Sequence, residues 1–291
     1  MTTITALIKR HPLLSYFALT FAISWGVIVL VVGPGGLPGT PEQFETLIPL
    51  VGLAMLAGPP VAGILLIGLV HGRAGLRDLL ARMARWRVGA RWYAVALLTA
   101  PLLMLTVTPI GLSLLFPEFL PRIFTSDEKV SLVLFGIAMG LAAGVFEELG
   151  WTGFAVPTLL RLRYGVLATG LIVGVLWGAW HFLVNVWSSG TSSGAISLTL
   201  FMHSFLFSAG VLPAYRVLMV WVYDRTESLL VAMLMHASLT AGNIMLVPLA
   251  TGMALVSWSL VLTAALWVVI AVVAVAQGGH LSQGPLRRRV A

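Results

Sequence analysis

Residues 130–160 read VSLVLFGIAMGLAAGVFEELGWTGFAVPTLL, an apolar run whose charge is confined to the adjacent carboxylates Glu147 and Glu148. Residues 130–146 carry no charge, enough apolar chain to build most of a membrane-spanning helix. After the acid pair the chain stays uncharged as far as Leu160, and Arg161 and Arg163 close it. The plainer alternative, that the pair ends a helix at the interface opposite those arginines, leaves residues 149–160 unexplained. Acids at membrane depth are expensive and are by default functional candidates.

The composition supports the same reading. Of 291 residues 59% are hydrophobic and 9% charged, with a mean hydropathy of +1.01, outside the range of soluble domains. Seven more apolar stretches, residues 12–32, 47–70, 92–116, 165–187, 196–223, 229–247 and 255–276, read as further spans. The expected fold is an all-α polytopic membrane protein of about eight transmembrane helices. It forms a single integral membrane domain over residues 1–291, with a catalytic core over 130–247 and small-residue packing between the core helices. Residues 73–91, with six arginines and apolar residues at roughly helical spacing, read as an interfacial amphipathic helix. A bend is expected at Pro213.

Eight spans place both termini on one side. That side would hold every Lys and Arg, Arg216 included, except Arg122 and Lys129. By the positive-inside rule it is the cytoplasm, so the protein is expected in a plasma membrane of bacterial type with both termini cytoplasmic. The net charge of +7 then belongs beside anionic lipid, and no soluble basic domain exists to bind nucleic acid. Cysteine is absent, which excludes disulfides, thiolate metal sites and a cysteine nucleophile.

Chemistry must come from elsewhere. Glu147 and Glu148 are the acids in an apolar context, and on a helix adjacent side chains diverge by about 100°, so the two are expected to divide their roles. Desolvation and mutual repulsion should raise the pKa of at least one. Gly140 and Gly144 thin the helix before them, and Gly170, Gly174 and Gly178 recur every four residues in the fifth span. The two small faces are expected to pack together, leading to His181, with Trp177 and Asn185 one turn to either side. His236 lies mid-span in the seventh helix, with Thr240 one turn on and Asn243 beyond it. His203 has no polar neighbour at helical spacing and is expected to be structural. No His-Glu-x-x-His helix, Gly-x-Ser-x-Gly elbow, phosphate loop or dinucleotide fingerprint occurs. A Glu and two His could hold zinc, or could activate water directly.

These residues resemble a known family, the membrane-embedded CaaX protease and bacteriocin-processing (CPBP, or Abi) group, which includes the type II CaaX prenyl endopeptidases. That family shows Glu-Glu-x-x-x-Arg, then aromatic-x-x-x-His, then His-x-x-x-Asn on successive core helices. Here Glu147-Glu148, Trp177-x-x-x-His181 and His236 match over roughly residues 130–243. Thr152 stands where the family has Arg, and Thr240 where it has Asn. The resemblance implies an intramembrane endopeptidase of glutamate-dependent type with no cofactor expected, zinc being the unfavoured alternative and metal dependence left open, acting on a membrane-associated, CaaX-type or other, peptide or protein. Glu147 would activate water and Glu148 would orient groups. His181, His236 and Thr240 would complete the site, in a polar cavity opening towards the cytoplasm. Partners would be membrane lipid and the substrate, with the oligomeric state open. The alternatives are a catalytically inactive relative serving as a bacteriocin-immunity or scaffold protein, and a transporter with a carboxylate proton relay.

Overall fold

The computed structural model describes residues 3–33, 35–107 and 119–282. The helices are α1 (Thr3–Arg10), α2 (Pro12–Val32), α3 (Pro41–Met83), α4 (Ala90–Val107), α5 (Arg122–Thr125), α6 (Lys129–Gly150) and α7 (Val156–Arg161). They continue with α8 (Val166–Trp180), α9 (Phe182–Ser188), α10 (Leu198–Leu206), α11 (Leu212–Thr226), α12 (Leu229–Leu246) and α13 (Gly252–Ala276). Among the described residues seven helical segments are long and apolar enough to cross a membrane, and Ala90–Thr106 is a shorter apolar helix. The protein is an all-α integral membrane protein. The expected end of the third span at Phe116, the loop residues Pro117 and Glu118, and the tail arginines Arg287 to Arg289 lie outside the described residues.

Two spans are continued through π-helical turns. Trp151–Ala155 joins α6 to α7, and Phe207–Val211 joins α10 to α11. Such turns insert one residue into the helix and shift every side chain beyond them. The second falls directly before Pro213, which has no N–H to give an α-helical ladder. The irregularity expected at Pro213 therefore takes this form. The amphipathic stretch is set off from the membrane-spanning part of α3 by a kink at Gly72 (φ 63°), where the backbone leaves helical geometry, and it is helical as far as Met83; glycine adopts that backbone angle without strain. Beyond the bend Arg73 and Arg77 are exposed, but Arg82 turns inward and is buried.

The glycine faces do not meet each other as the spacing suggested. Gly136, Gly140 and Gly144 of α6 lie against Met245, Ala241, Ala237 and Met233 of α12. Gly170, Gly174 and Gly178 of α8 lie against Val217, Pro213 and Ser208. Each glycine face instead admits the backbone of a different helix, α12 for α6 and the α11 span for α8. The consequence decides the site. His236 lies between Met233 and Ala237, and Arg216 beside Val217, so each groove draws a polar residue towards the acid pair.

Successive helices run in opposite directions, and their ends gather on two unlike faces. On the first, Arg85 pairs with Glu227, Arg82 reaches Gly153, and Arg225 reaches Gln277 and Leu281. This face also carries Arg73, Arg77, Arg161 and Arg163 at neighbouring helix ends. On the second, the Gly39 N–H donates to the Trp187 carbonyl, and Pro121 bridges to Pro248. There the charged residues among those described are Glu42, Glu45, Asp127 and Glu128, with Arg122 and Lys129.

Candidate active site

Glu147 and Glu148 occupy the last turn of α6, one turn beyond the close contact of Gly144 with α12. They point to different surroundings. Glu147 lines a cavity of about 440 Å³, whereas Glu148 has no exposed surface at all. The expected division between the two acids is thus a consequence of helical geometry.

Glu148 is the anchored one. Arg216 donates from Nη1 to Oε2 and from Nη2 to Oε1, each at 2.8 Å. His236 Nδ1 lies 2.7 Å from Oε1, and the Thr152 hydroxyl donates to Oε2. A carboxylate held by a two-pronged guanidinium, a hydroxyl and an imidazole is a charge-assisted network in which both oxygens are engaged. The Arg216 guanidinium carbon also lies 4.1 Å from the centre of the Trp177 ring, a cation–π contact made where water is excluded.

Arg216 is the residue that sequence reasoning misplaced. It was counted with the basic side, yet it is fully buried in α11. The signal was available, because it is the only Asp, Glu, Lys or Arg in residues 196–223, and a lone cation at membrane depth requires a partner. The alternative pairing of the acids with Arg161 and Arg163 does not occur, since both are exposed on the basic face. Thr152, at the motif's Arg position, instead reaches the same carboxylate that Arg216 neutralises.

Glu147 is held more loosely. Trp177 Nε1 donates to its Oε2 at 2.8 Å, and Trp151 Nε1 to the same oxygen at 3.4 Å. Trp in place of the family's usual Phe thus adds a donor for this acid. His236 Nε2 lies 3.9 Å from Glu147 Oε2, too far for a direct hydrogen bond. With Arg216 on Glu148, its carboxylate accepts, so His236 Nδ1 is the protonated nitrogen in the neutral ring and Nε2 faces Glu147.

His181 sits at the break between α8 and α9, where Nδ1 is 2.9 Å from the Trp177 carbonyl. A carbonyl only accepts, so Nδ1 carries the proton, and the neutral ring offers Nε2 as an acceptor. Thr240 and Asn243 line the same cavity one and two turns beyond His236, and the Asn243 Oδ1 has no partner among the described residues. Asn185 donates to Ser208 at 2.9 Å across to the second π turn. His203, expected to be structural, pairs with Ser259 of α13 at 2.7 Å and also lines the cavity wall. Its partner comes from another helix, which helical spacing cannot reveal. Among the described residues no three His, Asp or Glu side chains come together as metal ligands.

The cavity does not open on the basic face, as the sequence reading expected. Its walls rise from Glu147 and His236 to Ile48 near the start of α3, Asn185 near the end of α9 and Asn243 near the end of α12, all towards the acidic face.

Residues 129–242 match the family model described as Type II CAAX prenyl endopeptidase Rce1-like. This segment is similar to the Rce1-like family. It coincides with the stretch that carried the three motifs. Within the curated proteins, 96 residues are 26% identical to CAAX prenyl protease 2 of Methanococcus maripaludis, covering 33% of this chain. The match spans about a third, 35%, of that relative's length. The Rce1-like segment contains Glu147, Glu148, Thr152, His181, Arg216, His236 and Thr240.

Proposed function

We propose that this protein is an intramembrane endopeptidase that hydrolyses a peptide bond with water activated by Glu147. The observation that carries the reading is the asymmetry of the two acids. One faces a polar cavity beside two histidines, and the other, fully buried, fixes one of those histidines from behind.

A water within about 2.8 Å of both Glu147 Oε2 and His236 Nε2 fits the 3.9 Å between them. Glu147 takes its proton, and the hydroxyl oxygen attacks the peptide carbonyl. The electron pair of the C=O bond moves to oxygen, where the Thr240 hydroxyl donates to the oxyanion. His236 does so as well when its Nε2 is protonated, with Glu148 balancing the charge. Collapse re-forms the carbonyl, breaks the C–N bond, and sends the proton held by Glu147 to the leaving amine. His181, with Nδ1 committed to the Trp177 carbonyl, orients the water or a substrate N–H through Nε2.

The name of the relative, CAAX prenyl protease 2, makes a CAAX-type tail one substrate to try. The test is cleavage-site mapping on membrane extracts with wild type and Glu147→Ala, with and without a chelator. Products that appear only with wild type, chelator or not, support the reading. Identical products from both proteins overturn it.

A further inference from the structure

The active-site cavity and the arginine-rich helix ends lie on opposite sides of the bundle. On the basic side, the described residues directly below the acid pair are tightly packed. Trp151, Thr152, Phe154 and Tyr215 are each at most 2% exposed, and Tyr16 packs its ring on Trp151 and Phe154. Arg82 seals the remaining gap. Its Nη2 donates to the Gly153 carbonyl at 2.9 Å and its Nη1 to the Tyr223 hydroxyl at 3.0 Å and the Thr152 carbonyl at 3.4 Å. Asp78 holds Nε at 2.9 Å, so all three nitrogens are committed. Two hollows do exist on this face, of about 310 and 170 Å³, but neither shares a lining residue with the cavity that holds Glu147.

On the acidic side the walls are open to a peptide. Ile48 lies two turns inside the N-terminal end of α3, whose first turns carry the exposed Glu42 and Glu45. Below it Gly52 and Met55 face the cavity, and Val184 and Asn185 do so from α9. The route from this face to Glu147 is therefore lined by apolar side chains interleaved with polar ones, Asn185, Thr240 and Asn243 among them. That pattern suits an extended apolar segment whose backbone meets the polar groups at depth.

The charge asymmetry supplies the orientation. The face closed by Arg82 carries Arg73, Arg77, Arg85, Arg87, Arg91, Arg161, Arg163 and Arg225. The open face carries Glu42, Glu45, Asp127 and Glu128 against Arg122 and Lys129. Short loops rich in arginine remain cytoplasmic. We infer that the cavity opens to the non-cytoplasmic side of the membrane, and that the substrate is an exported peptide or a protein segment presented at the outer leaflet. This rests on the peptidase reading for its chemistry, but not for its sidedness. A tail that stays in the cytoplasm would meet the sealed face.

The test uses the cysteine-free chain. Single cysteines are placed on the cavity wall, Ile48→Cys and Val184→Cys, and on the basic face, Ala74→Cys and Leu162→Cys. Intact cells are treated with a membrane-impermeant maleimide and then, separately, after permeabilisation. Labelling of the first pair in intact cells, and of the second pair only after permeabilisation, is expected. The reverse pattern overturns the inference whether or not the protein is active. A fluorogenic apolar peptide is then added outside sealed vesicles sorted by orientation. Cleavage in right-side-out vesicles, at least tenfold above inverted ones, supports the proposal, and cleavage confined to inverted vesicles overturns it. Expected labelling with no cleavage in either orientation leaves the sidedness standing and counts against the peptidase reading instead.

Discussion

Arg216 on α11 and Glu148 on α6 meet through two 2.8 Å hydrogen bonds at a point where neither side chain has any exposed surface. The pair joins the two glycine-packed halves of the core, α6 with α12 and α8 with α11. Removing one partner of such a pair strands a buried charge and costs about 3–5 kcal/mol. Arg216→Met is therefore expected to lower the melting temperature in detergent sharply. Combining it with Glu148→Gln should recover part of the loss, because neither charge is then stranded. Losses that simply add in the double variant would show that the two residues are not coupled. Arg216→Lys should also fail, since a single ammonium cannot span both carboxylate oxygens.

Glu147 should behave in the opposite way. Its carboxylate lies at a cavity and is held by indole N–H groups, which an amide oxygen can still accept. Glu147→Gln should keep the melting temperature within a degree or two, while the cleavage rate falls by about 100- to 10,000-fold, the usual range for loss of a general base. Glu148→Gln should lose stability and activity together. Side-by-side melting curves and cleavage rates decide it, and a stable, fully active Glu147→Gln would remove Glu147 from the chemistry.

Much of this was legible in the sequence, for physical reasons that also mark its limits. Apolar run length revealed the helices because the bilayer sets it. The embedded acids stood out because a charge in an apolar run is costly. Helical spacing placed Trp177, His181 and Asn185 together because they share one span, Val166–Ser188. What spacing could not give was anything decided between helices. Gly140 and Gly178 have the same pattern, and nothing local says which ridge fills which groove. His203 finds Ser259, and Glu148 finds Arg216, 68 residues away. The direction of the cavity depends on where all the walls stand, which a motif does not encode. Arg216 alone was missed although its signal was local, being a single cation within an otherwise uncharged span.

The glycine grooves give a third prediction. At Gly144 an added Cβ would run into the Met233 carbonyl, and at Gly178 into the Ser208 carbonyl. Backbone cannot step aside as a flexible side chain can, so the helices must part. Gly144→Val and Gly178→Val should each destabilise by about 1–3 kcal/mol or more. Gly52→Val, where an added Cβ meets nothing within 4 Å, should leave the melting temperature near wild type. Equal melting of all three would mean that α6 and α8 do not pack as closely as described.

Arg82 tests whether the basic face controls the site behind it. Its guanidinium holds the carbonyls of Thr152 and Gly153 in the π turn, and the Thr152 hydroxyl in turn holds Glu148. Arg82→Met leaves those carbonyls and the Tyr223 hydroxyl without that donor, at about 1–3 kcal/mol for each buried group left unpaired. Beyond the loss of stability, the π turn would relax and carry Thr152 away from Glu148, loosening His236 at the cavity floor. The expected kinetic signature is a lower kcat with KM little changed, because the cavity wall at Ile48 and Val184 is untouched. Arg82→Lys, which retains one charged donor, should fall between wild type and Arg82→Met in both measurements. An Arg82→Met protein with normal kcat would show that the π turn holds its shape without help from α3.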